Sequence, residues 1–292
     1  MTQEVYEKLA PEYAKLNAAA TVLPSRQHEV SEVAERLIHD KAVYLEVEHR
    51  EGVPAAALMA LSMREMNGNL HCYLGNGQAL SMRTTIVPYD RGPFDQPSPE
   101  NFYAGCHDAL VLDGWVKVFA DPANRTMTRI CYQDEGFNGF GYRYRGIPSP
   151  YVYGATTVQR PGKFIRDRVF DPNEMDPQIG TLAIMLEIFR LDPSLDFTNG
   201  EHAAMASPDI SVVLKMPIAP HPIIGNTNVF QLQTGLNKLR VLGTPIDADG
   251  NYGRHTMRAV ANFQIRHRLR PDGLAGPLTM AAIHQALAEA GL

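Results

Sequence analysis

Asp249-Gly250-Asn251-Tyr252-Gly253-Arg254-His255-Thr256-Met257-Arg258-Ala259 is followed, 23 residues on, by Asp272-Gly273-Leu274-Ala275-Gly276-Pro277-Leu278-Thr279-Met280-Ala281-Ala282. Both copies obey the pattern D-G-x-x-G-x-x-T-M-x-A. Each is a glycine turn that ends in a Thr able to start a helix. A repeat of this kind defines a structural unit. Leu232, Leu236, Leu239, Val260, Phe263, Ile283 and Leu287 recur around it at helical core spacing. Residues 229–292 are therefore expected to form a compact helical unit.

Outward from this unit, residues 193–228 hold Pro193, Pro208, Pro217, Pro220 and Pro222 among Asn, Gly, Ser and Thr. A stretch so long and proline-rich reads as a linker or a strapped-down connection. Val212, Val213, Leu214, Ile223 and Ile224 support an arm packed on the preceding domain. That leaves residues 1–192 as a larger first domain, which length alone allows in a chain of 292 residues. The net charge of −5 divides along the same boundary. Residues 229–292 carry seven Lys/Arg against four acids, a surplus of three positive charges, and the rest carries 20 basic against 28 acidic residues. The balance excludes a globally basic nucleic-acid coat. A basic small unit on an acidic large one suggests an anionic polymer as ligand.

The C-terminal unit resembles the three-helix peptidoglycan-binding domain of bacterial and phage wall hydrolases. The residues that carry the resemblance are Val229-Phe230-Gln231-Leu232-Gln233, Leu236-Asn237, Asp249-Gly250…Gly253…Thr256, Ala259-Val260…Phe263-Gln264 and Asp272-Gly273…Gly276-Pro277…Thr279. It implies peptidoglycan glycan strands as the partner. The glycine turns are expected to leave Asn251, Tyr252 and Arg254 on one surface as wall-binding residues.

The first domain is then tested against the chemistries of wall hydrolases. A zinc enzyme needs clustered ligands, but His28, His39, His49, His71 and His107 show no H-E-x-x-H, H-x-x-E-H or H-x-H spacing. A cysteine enzyme needs a thiolate with a His partner, and Cys72 after His71 lacks such a context. A glycosidase needs a carboxylic acid in a partly buried cleft. Glu65 fits best. It lies in VPAAALMALSMREMNGN, residues 53–69, where Val53-Pro54 can start a helix and Asn67-Gly68 can stop it. Leu58, Leu61 and Glu65 fall on one face, so the carboxylate is expected on the apolar side of the last turn, where desolvation raises its pKa. A Glu satisfied by a backbone amide at a helix end is the plainer alternative. Arg64 is expected to point away into solvent.

Two polar clusters surround this helix in sequence. Asn76, Gln78, Thr84 and Thr85 follow it, near a candidate strand at Arg83–Val87. Asp134-Glu135-Gly136-Phe137-Asn138-Gly139-Phe140-Gly141-Tyr142 and Pro148-Ser149-Pro150-Tyr151 come later. Such groups supply hydrogen bonds for sugar hydroxyls and flat surfaces for pyranose rings. Helices are expected near Pro99–Leu112 and over 172–190.

These clusters carry a second resemblance. Residues from about 27 to 190 are similar to phage and prophage lysozyme-family proteins of the N-acetylmuramidase type. The motifs are Arg64-Glu65, Leu74-Gly75-Asn76-Gly77-Gln78-Ala79-Leu80, Thr84-Thr85, Arg91-Gly92-Pro93, Glu135…Asn138-Gly139-Phe140-Gly141-Tyr142, Pro148-Ser149-Pro150-Tyr151, Gly162-Lys163-Phe164 and Phe170-Asp171-Pro172-Asn173…Asp176…Gln178-Ile179-Gly180. The resemblance implies a mainly α, lysozyme-like catalytic domain with a small β-hairpin region, and Glu65 as general acid. Asn76, Thr84, Thr85, Asn138, Tyr142 and Tyr151 become substrate-binding candidates. Family members often carry Asp where this chain has Gln78. The second catalytic role then falls to Glu135, to a water positioned by Gln78, or to the substrate's N-acetyl group. A lytic transglycosylase needs no second carboxylate, so that activity remains an alternative, as does a non-catalytic peptidoglycan-binding structural protein.

The expectation is an endolysin that cleaves the β-1,4 bond between N-acetylmuramic acid and N-acetylglucosamine, without metal or organic cofactor. It acts as a monomer, binds no nucleic acid and inserts in no membrane. Cys72, Cys106 and Cys131 make no disulfide framework. The charged, amphipathic N-terminal stretch has no signal-peptide character. Both fit a product made in the cytoplasm of an infected host and released to the wall through a holin.

Overall fold

The computed structural model describes residues 3–86, 88, 90–166, 169–200, 209–222, 227–250, 252–271 and 273–292. The protein is mainly helical. The first unit runs α1 (Gln3–Ala19), α2 (Gln27–His39), α3 (Lys41–Glu51), α4 (Ala55–Met66), α5 (Glu100–Leu112), α6 (Trp115–Phe119), α7 (Met127–Asn138), α8 (Pro150–Tyr153) and α9 (Thr181–Leu191). Between α8 and α9 lies the one small sheet among the described residues. Its strands β1 (Lys163–Arg166) and β2 (Val169–Asp171) are antiparallel, with Lys163 opposite Asp171 and Phe164 opposite Phe170.

The core is built on α4. Every residue from Ala55 to Ser62 is apolar or small, and all eight are buried. A helix that is apolar all round belongs in the middle of a domain. The reading of a single apolar face was thus too narrow. α4 packs against α3 and α9, α9 against α2, and α1 against α7. The helix ends where Asn67 turns left-handed, at φ 54°, and donates its N–H to the Met63 carbonyl. Gly68 reaches the Ser62 carbonyl, so the last carbonyls are satisfied locally. Only at this last turn does α4 leave the core, and there it presents Arg64 and Glu65.

One expected element is absent and another is shortened. Residues 83–86 form no strand, and Val87 lies outside the described residues. Side chains take the backbone groups a ladder would need. Gln78 Oε1 accepts from the N–H groups of Thr85 and Ile86, and Thr84 Oγ1 accepts from the Arg91 N–H. Residues 172–180 are not helical either. α9 starts only at Thr181, because Pro172 and Pro177 lack the amide a helix interior uses.

Residues 209–221 form a strap on the first unit, while Thr227 and Asn228 already belong to the C-terminal unit. α10 (Ile210–Lys215) buries Val213 and packs near α1. Arg160 donates to the carbonyls of Val213 and Met216, at 2.8 and 2.9 Å. The Ala219 N–H donates to Glu12. His221 is buried with its ring 4.5 Å from that of Phe140.

The C-terminal unit is a three-helix bundle of α11 (Val229–Lys238), α12 (Arg254–Arg266) and α13 (Pro277–Glu289). The repeated turns are held by one device used twice. Gln233 accepts from the Gly250 N–H and donates to Thr256; Gln264 accepts from the Gly273 N–H and donates to Thr279. Both glutamines are buried, so each turn's amide and the following threonine are satisfied without water. The two turns are then linked. Tyr252 donates to the Gly273 carbonyl at 3.0 Å and accepts from the Ala275 N–H at 2.7 Å.

Candidate functional site

A cavity of about 460 Å³ opens beside the C-terminal end of α4. That is within the range of roughly 300–1,000 Å³ found for ligand sites. Glu65 stands on its wall, partly buried. Tyr151, buried at the end of the Pro148-Ser149-Pro150 turn, donates its hydroxyl to Glu65 Oε1 at 2.8 Å. Burial holds the Tyr151 phenol well above its ordinary pKa, so it remains a donor. Arg64 lies with its guanidinium 4.6 Å over the Tyr151 ring and donates to the Ile179 carbonyl at 3.1 Å. It also lines the cavity, which corrects the expectation that it points away into solvent. The end of α7 supplies Phe137, Asn138 and Gly139, followed by Tyr142; β1 supplies Lys163 and Phe164. The segment before α9 adds Asp176 and Gln178.

Of the residues singled out in the sequence, the cavity gathers Glu65, Asn138, Tyr142 and Tyr151. Asn76, Gln78, Thr84 and Thr85 are not on its wall. They brace a loop instead. Asn76 Nδ2 donates to the Ile86 carbonyl, Asn76 Oδ1 accepts from the Gln78 N–H, and Gln78 Nε2 donates to Thr85 Oγ1. This brace sits directly behind the acid. A β-carbon on Gly77, at φ +73°, would come within 2.7 Å of the Glu65 carbonyl oxygen.

Glu135 is not a cleft carboxylate. It is buried at 1% exposure, accepts the Tyr13 hydroxyl, and pairs with Arg143 at 3.0 Å. Arg143 also pairs with Glu12 at 2.6 Å and donates to the Ala219 carbonyl. The carboxylate thereby ties α7 to α1 and, through Arg143, to the strap. Its neighbour along the helix faces the other way. Asp134 is fully buried, accepts the Thr181 hydroxyl at 2.7 Å, and has its pKa pushed up to about 7. Burial is the main cause; Thr181 and Arg64 pull it down and the negative charge of Glu65 pushes it up. The sequence points to Glu135 and not to its neighbour Asp134, although adjacent helix positions face different sides and the two carboxylates cannot share one environment.

Tyr252, expected on the wall-binding surface, lies in the core of the C-terminal unit. It is wholly buried, with its hydroxyl spent on the second turn, and offers no surface to a ligand. Asn251 lies outside the described residues, as does the side chain of Arg254. The C-terminal unit instead brings Asp247, Asp249, Gly253 and His255 to the cavity. No sequence signal joined these residues to Glu65.

Residues 225–283 match a family model described as a peptidoglycan binding domain. The C-terminal unit is a peptidoglycan-binding domain. No curated protein matches the chain, and no solved structure does. The match supports peptidoglycan as a partner of this protein. No described helix is long and apolar enough to cross a membrane. The peptidoglycan-binding domain thus shares the wall of the Glu65 cavity with the first unit.

Proposed function

We propose that the protein is a glycosidase of the endolysin type that cleaves the β-1,4 bond between N-acetylmuramic acid and N-acetylglucosamine. One observation carries the reading. A partly buried glutamate ends a core helix on the wall of a saccharide-sized cavity that a peptidoglycan-binding domain helps to form. Glu65 protonates the glycosidic oxygen as the general acid. Tyr151 and Arg64 fix its orientation from one side. Tyr142, Phe164 and Asn138 give the sugar rings apolar faces and a hydrogen-bonding edge. In an infected host the enzyme would reach the wall after holin-type release.

With Glu135 locked in its ion pair, Asp176 is the first-domain carboxylate besides Glu65 that the cavity's lining includes; one of its oxygens accepts the Gln178 N–H, and the other would steer a water. The same locking favours a second reading, lytic transglycosylation, in which the sugar's own 6-hydroxyl attacks and no second carboxylate is needed. Mass spectrometry of the products from purified sacculi separates the two. A reducing-end muramic acid is expected for hydrolysis, a 1,6-anhydro end for transglycosylation. Glu65→Gln is expected to abolish release while sacculus binding persists. Wild-type protein that binds sacculi and never releases soluble fragments would leave a non-catalytic binding protein.

A further inference from the structure

A wall-binding domain on a hydrolase needs only to tether, which raises local concentration without touching the reaction site. Here the two units are packed against each other. Gly139, at φ +96° after the last residue of α7, abuts the first glycine turn of the peptidoglycan-binding domain. A β-carbon at this position would overlap the Cα of Gly253 and press to 2.8 Å from the Tyr252 carbonyl oxygen. Backbone thus meets backbone, and only glycine fits. α12 packs on α7 beyond this point. Its Arg258 has its pKa lowered by burial and by the nearby positive charge of Arg91.

The consequence is a cavity with two owners. On one side stand Glu65, Asn138 and Tyr142; on the other stand Asp247, Asp249 and His255. Asp249 is partly engaged in the turn, accepting from Gln233 at 2.7 Å. Asp247 is exposed, and His255 sits in the first turn of α12. A carboxylate accepts hydrogen bonds from sugar hydroxyls, and an imidazole can hydrogen-bond an N-acetyl group or cover a pyranose face.

We infer that Asp247 and His255 of the peptidoglycan-binding domain are substrate-contacting residues of the Glu65 cavity, so that one amino-sugar strand is gripped between both units. This rests on the glycosidase reading for its substrate class. It differs from a tether in one respect: the contacts are made at the cleavage site, and a substrate too short to reach a second site must feel them.

The test uses the full chain and a peptide-free tetrasaccharide of alternating N-acetylglucosamine and N-acetylmuramic acid. Titration calorimetry is run on Glu65→Gln and on that variant combined with His255→Ala, Asp247→Asn or Asn138→Ala. One site per chain is expected, weakened about 5- to 50-fold by a substitution on either side. In wild-type background, His255→Ala is expected to raise KM with kcat changed less than about twofold, and sacculus pelleting to persist. Unchanged tetrasaccharide affinity in His255→Ala and Asp247→Asn overturns the inference. So does finding two independent sites, each lost to a different substitution, or no binding of the tetrasaccharide at millimolar concentration. If the wild type binds the tetrasaccharide and cleaves nothing, the glycosidase reading fails. The shared cavity is then still upheld by weakened binding in both Asn138→Ala and His255→Ala.

Discussion

Asp134 and Glu135 are neighbours in sequence and do opposite things. Burial raises the pKa of Glu135, and Arg143 and Tyr13, which it meets, pull it down. Glu135→Gln leaves Arg143 with Glu12 as its charged partner and is expected to cost about 1–3 kcal/mol in denaturant unfolding. The folded fraction should keep its product pattern, since the carboxylate is not on the cavity wall. Among the described residues Asp134 has the Thr181 hydroxyl as its hydrogen-bond partner, and its pKa is about 7 in place of the usual 3.8. A carboxyl whose folded pKa is raised stabilises the fold fully below the unfolded value, and that contribution is lost as pH rises through the folded one. Its contribution therefore fades between about pH 4 and pH 7. Asp134→Asn keeps an acceptor for Thr181 and removes the ionisation. Thermal melts should show it stabilised relative to wild type at pH 8 and nearly equal at pH 4. An equal shift at both would contradict the assignment.

At the level of elements, sequence was most informative where the causes are local. Pro54 and Asn67-Gly68 bound α4 within a residue of expectation because caps act through adjacent backbone groups. Glu100–Leu112 forms a helix nearly where the expected one lay. The repeated turns were legible as turns. Their glutamine clamps were not, since Gln233 and Gln264 act on amides 17 and 9 residues away. Non-local partners also hid the fates of Glu135 and Tyr252. Tyr13 lies 122 residues from Glu135, and Gly273 lies 21 from Tyr252. The clamp gives a prediction of its own. Gln264→Ala strands the Gly273 amide in a buried site and is expected to cost about 1–3 kcal/mol. Calorimetry should show the peptidoglycan-binding domain melting earlier, and sacculus binding should fall with its folded fraction. A clamp without energetic weight would leave both unchanged.

For the whole molecule, charge had suggested a division of labour between an acidic large part and a basic small one. The structure adds that the parts share a boundary at the cavity itself, through Gly139 and Gly253. Composition and periodicity describe elements one at a time, so this meeting of surfaces was beyond their reach. The strap over α1 and Phe140 contributes to the same compactness, with His221 buried and its pKa lowered to about 3, chiefly by desolvation. The central claim is that Glu65 works on a glycan presented by the neighbouring domain. The most direct measurement is the release of soluble muropeptides from purified sacculi, followed by mass spectrometry, for wild type and Glu65→Gln side by side. The account predicts cleavage at muramic acid by the wild type, and at least a 1,000-fold-order loss, roughly 4 kcal/mol of transition-state stabilisation, in a variant that still pellets with sacculi. Release by Glu65→Gln at the wild-type rate, or no release by either protein, would contradict it.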